Sequence, residues 1–304
     1  MSSKPLWQVS VETSPEAEEA VVELLGRVFE RSAVVYTNEE TRVTVASVYC
    51  EARGEFTGAR RAALEEGLTR LRAAGLQRSA GKISAKPVAR EDWAESWKRH
   101  FKAIEIGPRL LVKPGWVRRR PRKGQAVVVL DPGLSFGTGN HPTTAFCLHA
   151  LAEFRKPGRP QAFLDIGTGS GILAIAATKL GYRPVRAMDF DAEAVRVARE
   201  NARRNRVRIE ITRQDFTKLP PASRVRYDFI CANLISNLLL SEMGRIRARL
   251  RPGGALALAG ILKGEFSQIE RACKRAGLRL RRGKTEGEWR SGFFVLGADA
   301  DADG

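Results

Sequence analysis

The stretch Phe163-Leu-Asp-Ile-Gly-Thr-Gly-Ser-Gly-Ile-Leu-Ala-Ile-Ala-Ala177 decides the fold of this 304-residue chain. It predicts a buried strand, a tight turn at three glycines and then a helix. Because glycine has no Cβ, the backbone of such a turn can pass close to a ligand. A second predicted strand ends at Asp189, which follows Gly167 by 22 residues. That spacing is typical of βαβ units that present an acid to a ribose diol, so the sequence predicts a nucleoside-containing cofactor.

The glycine spacing helps to choose the cofactor. Dinucleotide-binding turns use G-x-G-x-x-G and place a pyrophosphate on the helix N-terminus. This chain has G-x-G-x-G after Asp165, and a carboxylate there would repel a pyrophosphate but attract an ammonium group. S-adenosylmethionine carries an ammonium group and no phosphate, so we expect it as the cofactor. A nicotinamide or flavin cofactor, or a tight turn without a ligand, are the alternatives.

The pattern from residue 126 to residue 297 predicts an α/β domain. A sheet of five parallel strands plus a late antiparallel hairpin is the layout of the class I methyltransferases, a Rossmann-like, seven-stranded, mostly parallel sheet. The motif Arg251-Pro-Gly-Gly254 is expected to be a turn between a helix and a strand. Predicted strands cover residues 162–166, 185–189, 207–211, 227–232, 255–260, 278–283 and 290–296, and predicted helices cover 170–180, 191–204, 237–250 and 265–276.

Residues 1–90 predict a smaller domain with the order β-α-β-β-α-β, which matches a ferredoxin-like α+β sandwich and is interpreted as a substrate-recognition domain. Residues 91–125 read as a connector, in which Trp93, Trp97 and Phe101 share one helical face. The segment 298–304 is expected to be disordered.

Composition narrows the class of protein. The net charge is +18, but residues 1–90 carry only +1 and residues 91–304 carry +17, so the smaller domain is not the basic grip that an RNA-binding accessory domain needs. No apolar run approaches a membrane span or resembles a signal peptide, and the four cysteines form no C-x-x-C pair. The three histidines form no metal-ligand cluster with them. We therefore expect a cytoplasmic protein without a metal site or a membrane partner.

Two further motifs bear on the chemistry. The loop Leu130-Asp-Pro-Gly-Leu-Ser-Phe-Gly-Thr-Gly-Asn-His-Pro-Thr-Thr-Ala145 feeds a predicted helix, whose first N–H groups and Thr hydroxyls can meet a cofactor. An N-capped interdomain turn is the alternative. Asn233 ends the fourth strand of the α/β domain and is expected to face the transferable methyl group. It lies in Asn-Leu-Ile-Ser, without the Asn-Pro-Pro-Tyr that is common for planar nitrogens, which favours an aliphatic amine as the acceptor. An ordinary strand-end cap is the alternative.

Together these motifs resemble the PrmA-type methyltransferases, which trimethylate amino groups of large-subunit ribosomal protein eleven. The resemblance is carried by five motifs and is strong over about residues 90–296: Asp131–Thr144, Asp165–Ala177, Asp189–Asp191, Ala232–Ile235 and Gly260–Leu262. It is supported by Trp93–Trp97 and Glu288-Trp289.

The resemblance implies S-adenosylmethionine contacts at Thr144, Gly167, Asp189 and Asn233. It also implies ribosomal protein eleven, free or ribosome-bound, as the partner, with proximity to ribosomal RNA suggested by the basic clusters. No catalytic base is assigned. A methyltransferase that acts on RNA or on a non-ribosomal protein lysine is the main alternative, and a cofactor-binding module without catalysis is the other.

Overall fold

The computed structural model describes residues 5–13, 17–31, 33–37, 44–73, 81–88, 102–131 and 141–297. The chain divides into two compact units, residues 1–101 and 102–304. The predicted helical stripe at Trp93, Trp97 and Phe101, most of the predicted loop (132–140) and the tail 298–304 lie outside the described residues. The domain limits predicted from the sequence stay predictions.

The first unit is an antiparallel sheet of four strands in the order β2-β3-β1-β4, covered by two helices. Its core holds Leu25 of the first helix and Leu64 of the second, which pack with Val9 and Val48 of the sheet. This order confirms the ferredoxin-like arrangement. The elements are β1 (Leu6–Thr13), α1 (Glu18–Phe29), β2 (Val34–Thr37), β3 (Thr44–Cys50), α2 (Gly58–Ala73) and β4 (Ile83–Val88).

The second unit is built on a sheet of seven strands in the order β10-β9-β8-β11-β12-β14-β13. The first five strands of that order are parallel, and β14 lies antiparallel between β12 and β13. The predicted class I methyltransferase sheet is thereby confirmed. The strands are β8 (Phe163–Ile166), β9 (Val185–Asp189), β10 (Glu210–Arg213), β11 (Tyr227–Asn233), β12 (Leu250–Ala259), β13 (Leu278–Glu286) and β14 (Trp289–Leu296). The helices are α3 (Pro142–Phe154), α4 (Ile172–Lys179), α5 (Ala192–Arg204), α6 (Ser236–Ala248) and α7 (Phe266–Arg275).

Both faces of this sheet are covered by helices, so its central strands β8 and β11 are mostly apolar, with Asp165, Asp228 and Asn233 as the polar exceptions. Alternation along β11 sends Phe229 and Cys231 to the core shared with α3, α4 and α5, whereas Ile230 and Ala232 join the core under α6 and α7. The side chain of Asn233 continues the first series. The alternation along each strand therefore determines on which face of the sheet a site residue lies.

A small sheet precedes the large one. Its order is β5-β6-β7, with β5 antiparallel and β7 parallel to the central strand. The strands are β5 (Ile104–Ile106), β6 (Leu110–Lys113) and β7 (Ala126–Val129). Two of them therefore arise from residues that the sequence suggests are a connector. Asn205, after α5, ties β7 to the large unit: its side chain accepts a hydrogen bond from Val129 N at 2.7 Å and donates one to Val129 O at 2.7 Å.

The structure corrects the turn expected at Arg251-Pro-Gly-Gly254. Strand β12 already begins at Leu250, which pairs with Tyr227, and the next pair is Phe229 with Ala255. Residues 251–254 thus form a bulge within the strand, and Gly253 supplies the positive φ of 71° that the bulge requires. Strand β10 also runs three residues later than the predicted start at 207.

Within the described ranges, no helix is long and apolar enough to cross a membrane. The same residues contain no group of three His, Cys, Asp or Glu side chains placed to hold a metal ion. All four cysteines are buried, and no disulfide joins them.

Candidate active site

The candidate site lies where the carboxyl ends of β8, β9 and β11 meet the first turns of α3 and α4. Because the strands are parallel and adjacent, their ends meet at one edge of the sheet. Asp165 is in register with Cys231 of β11 and with Ala187 of β9. Asp189 and Asn233 each lie two residues beyond those partners, so alternation places all three polar side chains on the same face.

The turn after β8 has the left-handed backbone that its glycines permit. The φ angles of Gly167, Gly169 and Gly171 are 72°, 52° and 81°. The amides of Gly167 and Thr168 both donate to Met188 O at 3.0 Å, which fixes the turn against β9. A Cβ at Gly167 would lie 2.5 Å from Leu234 Cδ2. The predicted cofactor turn is therefore packed directly against the residue that follows Asn233.

Asp165 is a buried carboxylate with one open oxygen. Its Oδ2 accepts a hydrogen bond from the Thr168 hydroxyl at 2.7 Å, whereas its buried Oδ1 has no hydrogen-bond partner within the described part of the chain. Burial raises the pKa of this carboxyl from 3.8 to about 7, against the opposing effects of the Thr168 bond and of the nearby Ala174 backbone amide, and the charge of Asp189 raises it further. An approaching ammonium group would supply the missing hydrogen bond and favour the ionised form.

Among the described residues, Asp189 is held by backbone amides. Its Oδ2 accepts from Gly169 N at 2.9 Å and its Oδ1 accepts from Asp191 N at 3.1 Å. The carboxylate is only 8% exposed, yet each oxygen keeps a second lone pair for a further donor. The next residue, Phe190, is 74% exposed, an unusual position for a large apolar side chain. A carboxylate beside an exposed ring suits a ribose next to a planar base.

The first turn of α3 brings Thr144 to the site with an unused hydroxyl. His141 is the N-cap, Pro142 begins the helix, and Thr143 and Thr144 follow. Thr144 Oγ1 is buried without a hydrogen-bond partner in the described structure. Such an atom costs free energy unless a ligand or water satisfies it. A cofactor carboxylate or hydroxyl would satisfy it, as the loop motif predicts.

Asn233 lies at the end of β11 and contacts α3. Its Nδ2 donates to Thr143 Oγ1 at 3.3 Å. A Cβ at Gly260 would lie 2.8 Å from the Leu234 carbonyl oxygen and 3.0 Å from Asn233 Oδ1. Two hydrogen-bond acceptors, the Leu234 carbonyl oxygen and Asn233 Oδ1, therefore lie close together beside Gly260. Two acceptors in one place suit a donor with two N–H groups, such as an amine.

The four residues implied by the resemblance form one connected set. Gly167 contacts Leu234 beside Asn233, and Asn233 bonds to Thr143 beside Thr144. Asp189 bonds to the glycine turn. Their roles as cofactor contacts stay predictions, although the open oxygen of Asp165, the bare hydroxyl of Thr144 and the glycine turn fit S-adenosylmethionine.

The sequence alone assigns no individual role to His141, Gly260 or Trp289, and it indicates Thr143 only as one of the two Thr hydroxyls at the start of α3. The rings of His141 and Trp289 meet edge to face, with centroids 5.4 Å apart. Both Gly260-Ile-Leu262 and Glu288-Trp289 belong to the motifs that carry the resemblance, so a signal existed. The contacts that explain those motifs depend on the sheet order and could not be read from their spacing.

Comparison with known proteins identifies one family. Residues 5–294 match the family described as "Ribosomal protein L11 methyltransferase (PrmA)". A ribosomal protein L11 methyltransferase of Chloroflexus aurantiacus is 35% identical over 327 aligned positions, which cover 95% of this chain and 97% of that protein. One of Geobacter sulfurreducens is 43% identical over 199 positions, 66% of this chain and 64% of that protein.

A solved structure agrees with the sequence matches. The crystal structure of a ribosomal protein L11 methylase from Lactobacillus delbrueckii subsp. bulgaricus is 30% identical, with a TM-score of 0.57. The alignment covers 64% of this chain and 98% of that one.

Proposed function

The chain belongs to the ribosomal protein L11 methyltransferase family, and from that premise we propose that it transfers methyl groups from S-adenosylmethionine to amino groups of ribosomal protein L11. The acceptors are lysine side chains, the N-terminal amine or both. The protein acts in the cytoplasm on L11, either free or within the ribosome. The enzyme is thus a protein-lysine N-methyltransferase.

One observation of the site supports an amine acceptor above others. The Leu234 carbonyl oxygen and Asn233 Oδ1 both lie close to Gly260, where a Cβ would be 2.8 Å and 3.0 Å from them. They can accept two N–H groups of a neutral amine and leave its lone pair unengaged. Neither atom is acidic or basic, so the pair orients the nucleophile without exchanging a proton with it. Proximity and orientation of this kind supply much of the acceleration of a two-reactant step.

The cofactor contacts follow from the same edge of the sheet. Asp165 would bind the ammonium group of the cofactor, and Asp189 would accept hydrogen bonds from its ribose hydroxyls. Gly167 would let the cofactor lie close to the backbone, and the Thr144 hydroxyl would bond to a carboxylate or hydroxyl oxygen. When bound, S-adenosylmethionine would supply a methyl group on a sulfonium: the amine lone pair would form the new N–C bond as the S–C bond breaks, with S-adenosylhomocysteine as the leaving group. A lysine amine has an ordinary pKa near ~10.4, so it must lose a proton before each transfer. No residue is assigned to remove it.

Mass spectrometry of purified L11 tests this proposal. Incubation with the enzyme and S-adenosylmethionine should add whole methyl increments to L11. Asp189→Asn should suppress the gain at limiting cofactor, while Asp191→Asn, which keeps a helix cap on α5, should not. If calorimetry shows that S-adenosylmethionine binds but the mass of L11 does not increase, the proposed substrate is wrong and the proposed cofactor still stands.

We propose in addition that ribosomal RNA lies near the enzyme when the substrate is ribosome-bound. In the basic loop of the small sheet, Arg119 and Arg122 pair with Glu105. The exposed Arg118, Arg120 and Lys123 have no acidic partner among the residues described. Phosphate contacts would make binding to ribosomes fall steeply with salt, whereas binding to free L11 should change less. Equal salt slopes for both substrates would contradict RNA proximity.

A further inference from the structure

Three polar side chains form a hydrogen-bond network, the His141–Thr143–Asn233 network, from α3 to the end of β11. Asn233 Nδ2 donates to Thr143 Oγ1 at 3.3 Å, and Thr143 Oγ1 lies 2.6 Å from His141 Nδ1. Thr143 is buried, with 1% of its surface exposed. Its hydroxyl therefore depends on these two neighbours for hydrogen bonds.

The donor and the acceptor of each hydrogen bond in this network can be assigned one after the other. A threonine hydroxyl carries one hydrogen, and it can accept a bond while it donates one. Because Asn233 donates to Thr143, the Thr143 hydrogen is available for His141 Nδ1. That bond requires an Nδ1 without a hydrogen, which a neutral imidazole protonated on Nε2 provides. Burial lowers the pKa of His141 and so favours the neutral ring, although the charge of Glu286 opposes this effect.

The direction of the hydrogen bonds in the His141–Thr143–Asn233 network decides whether the oxygen or the nitrogen of the Asn233 amide lies beside Gly260. With Nδ2 bonded to Thr143, Oδ1 is the atom that lies near the Gly260 position and beside the Leu234 carbonyl oxygen. If the amide were turned over, Nδ2 would point there instead. An amide nitrogen would then oppose the N–H groups of an incoming amine and remove one of its two acceptors.

We infer that His141 is a positioning residue that acts through Thr143 to keep Asn233 Oδ1 turned toward the substrate amine. The inference rests on the proposed function. Trp289 holds the imidazole in place through the edge-to-face contact of the two rings. The family motif around His141 and Thr143 thereby orients Asn233 Oδ1, the atom that accepts a hydrogen bond from the substrate amine.

Two pairs of variants separate hydrogen bonding from packing. Thr143→Val keeps the shape of the side chain and removes the hydroxyl, and Thr143→Ser keeps the hydroxyl. His141→Phe keeps a ring against Trp289 and removes Nδ1, whereas His141→Asn places an acceptor near the Nδ1 position; the His141 side chain itself makes no capping hydrogen bond. We expect Thr143→Val and His141→Phe to lower kcat on L11 by roughly ten- to a hundredfold.

The conservative partners define the outcome. Thr143→Ser and His141→Asn should recover most of kcat. Because Thr143 bonds to Asn233, a predicted cofactor contact, kcat is compared at saturating S-adenosylmethionine, with the affinity of each of the four variants measured by calorimetry. A purely structural role for the His141 ring predicts the opposite order, with His141→Phe more active than His141→Asn. That order, or equal kcat for Thr143→Val and Thr143→Ser, would overturn the inference.

A readout independent of activity separates this inference from the proposed function. The side-chain amide protons of Asn233, identified by their loss in Asn233→Asp, can be followed by NMR in the full chain without substrate. Thr143→Val and His141→Phe should shift them and increase their exchange with water, and the conservative variants should not. If wild type transfers no methyl group to L11, the proposed function fails. Separately, if Thr143→Val leaves the NMR shifts and the water exchange of the Asn233 amide protons unchanged, the inferred hydrogen-bond network is wrong.

Discussion

Asp165→Asn should make the protein without cofactor more stable at neutral and alkaline pH and less able to bind S-adenosylmethionine. The pKa of Asp165 is about 7 in the folded chain against an ordinary 3.8. Since the folded state binds the proton more tightly, the contribution of Asp165 to stability is present below the ordinary value and is lost as the pH rises through about 7. Each pKa unit corresponds to about 1.4 kcal/mol, so the full loss is about 4 kcal/mol.

Asparagine avoids this loss but introduces another cost. Its carboxamide can still accept from Thr168, while its NH2 group takes the place of the unpartnered Oδ1. An unsatisfied buried donor costs about 1–3 kcal/mol. The variant should therefore gain about 1–3 kcal/mol near pH 8 and lose about 1–3 kcal/mol near pH 4. For a domain of about 200 residues, 1 kcal/mol shifts Tm by about 2–4 °C.

Thermal unfolding of wild type and Asp165→Asn across this pH range measures the effect. The two Tm profiles should cross, with the variant higher on the alkaline side. Calorimetry near pH 8 should show S-adenosylmethionine binding weakened by about 10- to 100-fold, the loss of a hydrogen bond between charged groups. Asp191→Asn controls for a lost negative charge at an exposed position and should run parallel to wild type. Parallel profiles for Asp165→Asn, or unchanged cofactor affinity, would refute the reasoning.

Three further substitutions test the site by kinetics, calorimetry and thermal unfolding. Gly260→Ala should lower kcat about tenfold or more, because its Cβ would displace the two acceptors beside it; Gly264→Ala, with no atom within 4 Å of the new Cβ, is the control and should match wild type. Gly167→Ala should lower stability by about 1–2 kcal/mol from its positive φ alone, and the contact with Leu234 should weaken cofactor binding as well; an unchanged Tm would contradict this. Asp189→Asn should weaken cofactor binding by about tenfold or more, because an amide cannot accept from both backbone N–H groups and still meet a ribose; an unchanged dissociation constant would remove Asp189 from the site.

The parts of the fold that could be predicted were those set by local pattern. The mostly apolar segment Phe163–Ile166 and the three following glycines specify a buried strand and a left-handed turn, and such signals act within a few residues. The bulge at 251–254 was missed because Pro-Gly-Gly is also typical of a turn between elements. Pairing with Tyr227, more than 20 residues away, decided between the two.

The site divides in the same way. The polar residues Asp165, Asp189 and Asn233 could be predicted, since positions near the carboxyl ends of strands in a parallel sheet meet at one edge. The contact between Asn233 and Thr143 could not, because 90 residues separate them and only the order of strands brings α3 beside β11. The pKa of Asp165 was equally hidden, since it depends on how completely α4 and the turn exclude water.

Burial of Asp165 links folding to cofactor binding. A carboxylate with an unpartnered oxygen in a dry position favours the protonated state, and an ammonium group would reverse that preference. Near neutral pH, binding should therefore release a proton from Asp165 and return the free energy that burial costs the unliganded protein. Cofactor affinity should thus increase as the pH rises through about 7 and then level off, because the carboxylate is already ionised. Asp165→Asn removes the ionisable group, so its affinity should be nearly independent of pH over the same range. The site therefore tolerates an unfavourable carboxylate in the unliganded protein because the same group discriminates a cationic amino acid moiety from a phosphate.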